Sequence, residues 1–293
     1  MLKSFLFLIS ILFVFTSCSS QPSEKLKISA TTWIGYTPLF YAKEKGWLKE
    51  LNIKLLNVSS LSENMYLYKA GNSDAYVGTQ YEFNLLRTED KTLRPIMMFD
   101  RSFGGDVIMS NITLEELKDT NTEIDAYLEI DSINSTLLKD FIKNYHFEDK
   151  KIKYINKDQT QISLLNAKNL LKPSLIITYV PYDYRLYKNG FKELVSTRDG
   201  LTLLVVDAMF TTSKIFNLHK NQFIELKKLV DKSIEILDKN PKEFYETIKP
   251  YMLEITYEEF QESLKDIIWI NKKLSTEMQE GMKDRNFPTR DLI

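Results

Sequence analysis

Six aromatic side chains, Trp33, Tyr36, Tyr81, Phe103, Tyr179 and Tyr182, fall in short segments that also carry Thr37, Gln80, Ser102, Ser132 and Asn134. Flat rings can enclose a planar or apolar body, while amides and hydroxyls hydrogen-bond its polar edge. Acids are interleaved with them, Glu82, Asp106, Glu129, Asp131 and Asp183, against the single cation Arg101. Such a set recognises a molecule and is poorly equipped to transform one. His146 and His219 are the only histidines, and neither falls in these segments. The chain has no His-Glu-x-x-His, no Gly-x-Ser-x-Gly and no phosphate-loop glycine pattern. No catalytic residue, metal site or cofactor is therefore assigned, and an enzyme is not expected. The excess of acids favours a neutral, zwitterionic or amine-bearing ligand, because a carboxylate pairs with an amine. A bare inorganic anion would have only Arg101 and helix ends.

These side chains need a scaffold that brings distant segments together. Leu26, Ile28 and Ala30 alternate with polar residues as in a strand. Thr37 and Pro38 then open a helix that stops at Gly46. Ile53 to Val58 reads as a strand, Leu61 to Ala70 as a helix closed by Gly71, and Ala75 to Gly78 as a strand. Thr79 and Glu82 form a capping box, and Ile96 to Phe99 is the next apolar run. The rhythm is that of a parallel sheet with helices on its faces. Gly104-Gly105 interrupts it, and Asp106 to Ser110 restarts it. Strands follow at Ile124 to Ile130, Ile152 to Ile155, Ser174 to Tyr179 and Leu201 to Val206. Helices lie between them from Ser132, at Gln159 to Leu171 and at Pro181 to Lys188, and everything beyond Val206 reads as helix. Two α/β units joined near Gly104 to Ser110 and Thr197 to Leu203 make a hinged pair of lobes. The expected division is 26–103 with 204–293 for lobe one and its helical tail, and 104–203 for lobe two. In open α/β sheets the ligand sits beyond the carboxyl ends of the strands. That rule selects the loops Trp33 to Thr37, Thr79 to Glu82, Asp131 to Ser135, Tyr179 to Tyr182 and Arg101 to Asp106. The candidate ligand-binding residues are Trp33, Tyr36, Thr37, Gln80, Tyr81, Ser102, Asp131, Ser132, Asn134, Tyr179 and Tyr182. Glu82 has a competing duty in its capping box, and each aromatic has core packing as its alternative.

The N-terminus adds a location. Lys3 precedes the apolar run Phe5 to Phe15, which is too short for a bilayer span of about 20 residues and reads as a secretory leader. Thr16-Ser17-Cys18-Ser19-Ser20 follows and resembles the bacterial lipobox, which implies that residues 1–17 are removed, Cys18 is lipidated and 18–25 serve as a tether. Cys18 is the only cysteine, which leaves an exported fold without an internal disulfide. Lys and Arg number 39 against 40 Asp and Glu, a formal charge of −1, and nucleic acid is not an expected partner.

Thr32-Trp33-Ile34-Gly35-Tyr36-Thr37-Pro38-Leu39-Phe40-Tyr41-Ala42-Lys43-Glu44-Lys45-Gly46-Trp47-Leu48 resembles the opening of the nitrate/sulfonate/taurine class of ABC substrate-binding proteins. That class includes binders of the thiamine pyrimidine precursor. Tyr68 to Ala75, Gly104 to Ile108 and Ile177 to Tyr182 resemble later segments of the class, in order. Asp119 to Glu123 and Glu129 to Ser135 depart from it, standing where the class has a Gly-Lys-rich turn and a small Gly/Ser loop. The resemblance implies a two-lobed α/β fold of the type II periplasmic-binding-protein kind. It further implies a lipoprotein outside the cytoplasmic membrane that captures a sulfonate-, amine- or pyrimidine-like molecule or an oxyanion. Its partners would be an ABC permease and ATPase, with the protein itself a monomer. An input protein for a membrane sensor, or an exported enzyme on the same fold, are the alternatives.

Overall fold

The computed structural model describes residues 24–272, 274–290 and 292–293. The expected leader, Cys18 and most of the tether lie outside them. No helix among the described residues is long and apolar enough to cross a membrane.

Strands β1 (Leu26–Thr31), β2 (Ile53–Val58) and β3 (Ala75–Thr79) run parallel, with Leu26 opposite Ile53 and Ile28 opposite Ala75. Next come β4 (Leu93–Ser102) and β5 (Asp106–Ser110), then β6 (Ile124–Leu128), β7 (Ile152–Asn156), β8 (Ser174–Tyr179) and β9 (Lys192–Ser196). The chain returns as β10 (Val206–Thr212) and, much later, as the short β11 (Ile267–Trp269). One sheet has the order β11-β4-β10-β3-β1-β2 and the other β7-β6-β8-β5-β9. Each sheet has helices against it, and helices close the chain. The fold class expected from the sequence is therefore the one observed.

Several local expectations need correction. The first sheet is mixed, not parallel, because β10 inserts antiparallel between β3 and β4. Leu201–Val205 is not a strand. The Gln80 side chain, not a neighbouring strand, bonds the Leu204 carbonyl and the Val206 N–H, and Asp140 holds Thr202. The helix expected to run to Leu171 ends at Ser163. Asn189 Nδ2 takes the carbonyls of Ser163 and Leu165 there, and a 3-10 turn at Ala167–Asn169 follows. Thr37 is the first helical residue, not the cap; its hydroxyl donates to the carbonyl of Ile34, the first residue of the 3-10 turn Ile34–Tyr36. Beyond Val206 the chain is not all helix: β10 runs on to Thr212, and β11 lies within the tail.

The tail braces the first sheet. Helix Lys220–Lys239 buries Phe223, Leu226, Val230, Ile234 and Leu237 at helical spacing, one face of an amphipathic helix. Phe244 of the next helix stacks on Tyr41 at 4.5 Å. Between the sheets the chain crosses at Ser102–Asp106 and again at Thr197–Val205. Ser102 Oγ and Thr197 Oγ1 meet there at 2.7 Å, and the Phe103 and Gly105 N–H groups both donate to the Asp266 carbonyl.

Candidate functional site

The site begins where β1 ends. Trp33 follows in extended conformation, and the 3-10 turn after it fixes the ring at the junction of the lobes. Its indole N–H donates to Asp100 Oδ1 at 3.1 Å, and its face meets Tyr179 of the second sheet edge-on, with centroids 5.8 Å apart. Two glycines make room for this arrangement. A Cβ on Gly35 would lie 1.8 Å from Asp100 Oδ2, and one on Gly105 would lie 2.5 Å from Trp33 Cη2.

Tyr36 points its hydroxyl at Asp207 Oδ1, to which it donates. Asp207 and Asp100 reach the junction through an irregularity in the β4–β10 ladder. Val206 pairs with Arg101 and Ala208 with Met98, so Phe99 and Asp100 together oppose Asp207. Such a bulge re-aims side chains that regular pairing would turn into the sheet.

Between the lobes lies a cavity of about 10 Å³, room for about one water molecule. Thr31, Trp33, Tyr36, Thr79 and Asp207 line it from the first sheet, and Asp106, Ile133 and Tyr179 from the second, with Leu61 and Val205 at the edge. Among the described residues, Asp106 Oδ2, Thr31 Oγ1 and Tyr179 OH, on residues of this wall, have no hydrogen-bond partner, and neither has Asp100 Oδ2, which lies behind Trp33 and outside the lining.

Two carboxylates tie the lobes together around this cavity. Glu82 receives the Thr79 N–H and hydroxyl in the expected capping box, and its other oxygen accepts the N–H of Ile133 at 2.9 Å. Ile133 begins helix Ile133–Tyr145 on the second sheet. Glu129, from the end of β6, reaches back to accept the N–H of Leu61 at 3.0 Å. Leu61 begins helix Leu61–Lys69 on the first sheet. Each carboxylate thus satisfies an orphan donor at a helix start of the opposite lobe, where the helix dipole also favours negative charge. Tyr66 OH adds a bond to Asp131 at 2.5 Å on the outer rim.

Burial dominates the electrostatics of these acids. The Asp106 carboxyl is pushed up to about 7 and that of Glu129 to about 8, in both cases by desolvation first. Asp100 and Asp207 are raised well above the usual carboxylate range, again by desolvation first; the nearby Asp106 adds to it at Asp100, and Asp100 adds to it at Asp207. Glu82 is raised by burial against the pull of its hydrogen bonds. Among the described residues no lysine, arginine or histidine forms an ion pair with any of the five.

Of the candidate residues read from the sequence, Trp33, Tyr36 and Tyr179 come together on the cavity wall. Tyr182 stands behind Tyr179, edge-on at 5.4 Å. Gln80 spends its amide on the second crossing, and Ser102 bonds Thr197 and the Asp106 N–H. Ser132 caps its own helix, and Asn134 Oδ1 accepts from Gln159. Thr37 lies in the helix start, Tyr81 is half-buried beside the core, and Asp131 is half-buried on the rim, bonded to Tyr66. Arg101 turns away, over Phe103 at 5.4 Å and toward Met278, so neither it nor Phe103 enters the cavity. Asp183 sits apart, with Glu193 and Asp266 behind the hinge. Sequence reading did not single out Asp100 and Asp207. Their signal is a lone acid at the end of an apolar strand run, Ile96 to Phe99 before one and Leu203 to Val206 before the other.

No family model and no curated protein matches the sequence. Solved structures do. The ligand-binding component of an ABC-type import system from Staphylococcus aureus, with zinc bound, superposes with a TM-score of 0.70 at 13% identity, over 92% of this chain and 95% of that one. The alkanesulfonate-binding protein SsuA from Xanthomonas axonopodis pv. citri, bound to MOPS, gives 0.69 at 11% identity, over 92% and 98%. A Candida albicans protein described as having the generic periplasmic binding protein fold gives 0.67 at 12%, over 90% of each. At these identities the likeness establishes the fold.

Proposed function

We propose that this chain is the exported, lipid-anchored solute-binding component of an ABC importer, which closes two lobes on a small organic molecule and hands it to a membrane permease and its ATPase. The observation that carries the reading is the lobe-junction cavity. Aromatic rings from both sheets and unpartnered polar atoms converge there, at the carboxyl ends of β1, β3 and β8, where open α/β sheets bind ligands. A wall assembled from two lobes that touch through hydrogen bonds at helix starts suits a clamp, since parting them exposes the cavity without unfolding either sheet. Import is preferred to other uses of a clamp because two of the superposable proteins are an import component and an alkanesulfonate binder. The protein works as a monomer with no cofactor.

The test is a thermal-shift screen of the chain without its leader against several hundred small polar solutes, including sulfonates, nitrate, amines and pyrimidines. A ligand that binds only the folded form raises Tm by mass action. Saturable binding of at least one solute, confirmed by calorimetry and abolished by Trp33→Ala, is expected. A protein that binds none of them would refute the reading.

A further inference from the structure

Resting on that reading, we infer that the ligand, admitted as the lobes part and widen the one-water cavity, is a compact organic cation, a protonated amine, amidine or amino-heterocycle on a flat body, with Asp106 and Asp207 as its counter-charges inside the ring wall of Trp33, Tyr36 and Tyr179.

Three observations converge on this class. The first is what the helix starts are already doing. A cleft of this kind could hold an anion on the free N–H groups of the helices that face it. Here the Ile133 N–H is taken by Glu82 and the Leu61 N–H by Glu129. The protein's own carboxylates occupy those places, and an anionic ligand would have to displace them and then lie beside them. The second is the set of atoms left over. Asp106 is 3% exposed, lines the cavity and has Oδ2 without a partner. Thr31 and Tyr179, both buried in the same wall, also present unpartnered oxygens. Buried polar atoms normally find partners, so three acceptor-capable oxygens around one cavity define a place for N–H donors. The third is the charge balance. Asp106 and Asp207 line the cavity, Asp100 and Glu82 stand behind it, and the charges that act on them are each other's. Arg101, the cation nearest in sequence, is spent on Phe103 and Met278. A positive ligand supplies the missing counter-charge. Among the described residues no three His, Cys, Asp or Glu side chains converge closely enough to hold a metal ion. The aromatic wall then selects an organic body, whose cation also gains from ring faces.

A cation entering this site takes the place of protons that the buried acids otherwise hold. Binding near neutral pH is therefore accompanied by proton release to solvent.

The experiment sorts the thermal-shift library by charge and uses matched probes on the wild-type chain: benzylammonium, benzyl alcohol and benzenesulfonate, then 4-aminopyridine, phenol and nitrate. Hits are titrated calorimetrically at pH 7 in two buffers of different ionisation enthalpy, which counts the protons exchanged. The expected result is that the solutes raising Tm are cations, that protons are released, and that affinity falls at least tenfold in Asp207→Asn. That variant keeps an oxygen for Tyr36 to donate to, and Asp106→Asn serves as a second if it folds poorly. Stabilisation by anions or neutral solutes with cations inactive would overturn the cation class while leaving the binding function standing. Cations that bind without proton release, or equally well to both variants, would also overturn it. Binding of no solute of any charge would remove the binding reading and the cation with it.

Discussion

For the clamp proposed above, the acids of the cleft make closure itself depend on pH. In the closed form Asp106 is raised from 3.8 to about 7 and Glu129 from 4.5 to about 8, both chiefly by burial. With the lobes apart both are hydrated and titrate near their ordinary values. The closed form therefore holds protons that the open form gives up. Its advantage is complete below about pH 4 and is lost as pH rises through 7 to 8. At 1.36 kcal/mol per pH unit, full ionisation costs closure about 4 kcal/mol at Asp106 and about 5 kcal/mol at Glu129. The two titrate together with Glu82, Asp100 and Asp207, so these costs do not add. Taking half of their sum over the part of the titration between pH 5 and pH 8 still leaves ~3 kcal/mol, roughly a hundredfold in the closed-to-open ratio.

The assay is energy transfer between dyes on cysteines introduced at the exposed positions Lys54 on β2 and Tyr154 on β7, in a chain that begins after Cys18. Without ligand, the high-transfer population should fall as pH rises from 5 to 8. Glu129→Gln should flatten its share of the change, because an amide accepts the Leu61 N–H without titrating. A closed population that is constant with pH, or that grows toward pH 8, would refute the desolvation account of these acids.

Trp33→Phe keeps a ring against Tyr179 but leaves Asp100 with neither oxygen bonded. It should lower Tm by a few degrees, from the loss of about 1–3 kcal/mol, in a melting scan. Gly105→Ala places a methyl 2.5 Å from Trp33 Cη2 and should cost about 1–3 kcal/mol by overpacking; calorimetry at an unchanged Tm would show that the ring yields freely. Cys18→Ser should leave the precursor uncleaved or release the protein from membranes, and mature-sized mutant protein still in the membrane fraction would exclude lipidation at that residue.

The features legible in the sequence are those written in local chemistry. The capping box at Thr79–Glu82, the glycine stop after Leu61–Lys69 and the alternation of Leu26 to Ala30 all mark elements that form where expected. Trp33 and Tyr36 stand out because they lie in the loop beyond the carboxyl end of the first strand, inside the Thr32 to Leu48 segment that carries the resemblance. What the sequence withheld depends on long-range pairing. That β10 would enter the first sheet between β3 and β4 depends on which strands pair with it, and no local pattern in Val206–Thr212 encodes that. The bulge that places Asp100 opposite Asp207 exists only once those strands pair, so neither acid could be assigned to the cavity beforehand. Glu82 was recognised as a helix cap, and its second oxygen, which holds Ile133 on the other lobe, became visible only in three dimensions.

The reciprocal placement of Glu82 and Glu129 links ligand charge to lobe closure. Each carboxylate bonds a helix start across the gap, so each contributes to the closed form only when the lobes meet. Each is also buried by that meeting, with a cost that grows as it ionises. In the absence of positive charge the two effects oppose one another, and closure is held back as pH rises. A cation between the lobes changes the balance, because its field stabilises ionised Asp106 and Asp207 directly and Glu82 and Glu129 behind them. Ionised carboxylates in turn make stronger hydrogen bonds to the helix N–H groups than protonated ones do. The molecule that neutralises the cavity therefore also tightens the bonds that hold the lobes together. An anion of the same size would act in the opposite sense on every one of these groups. Selection by charge would then operate on the closing step as well as on the contacts inside the cavity.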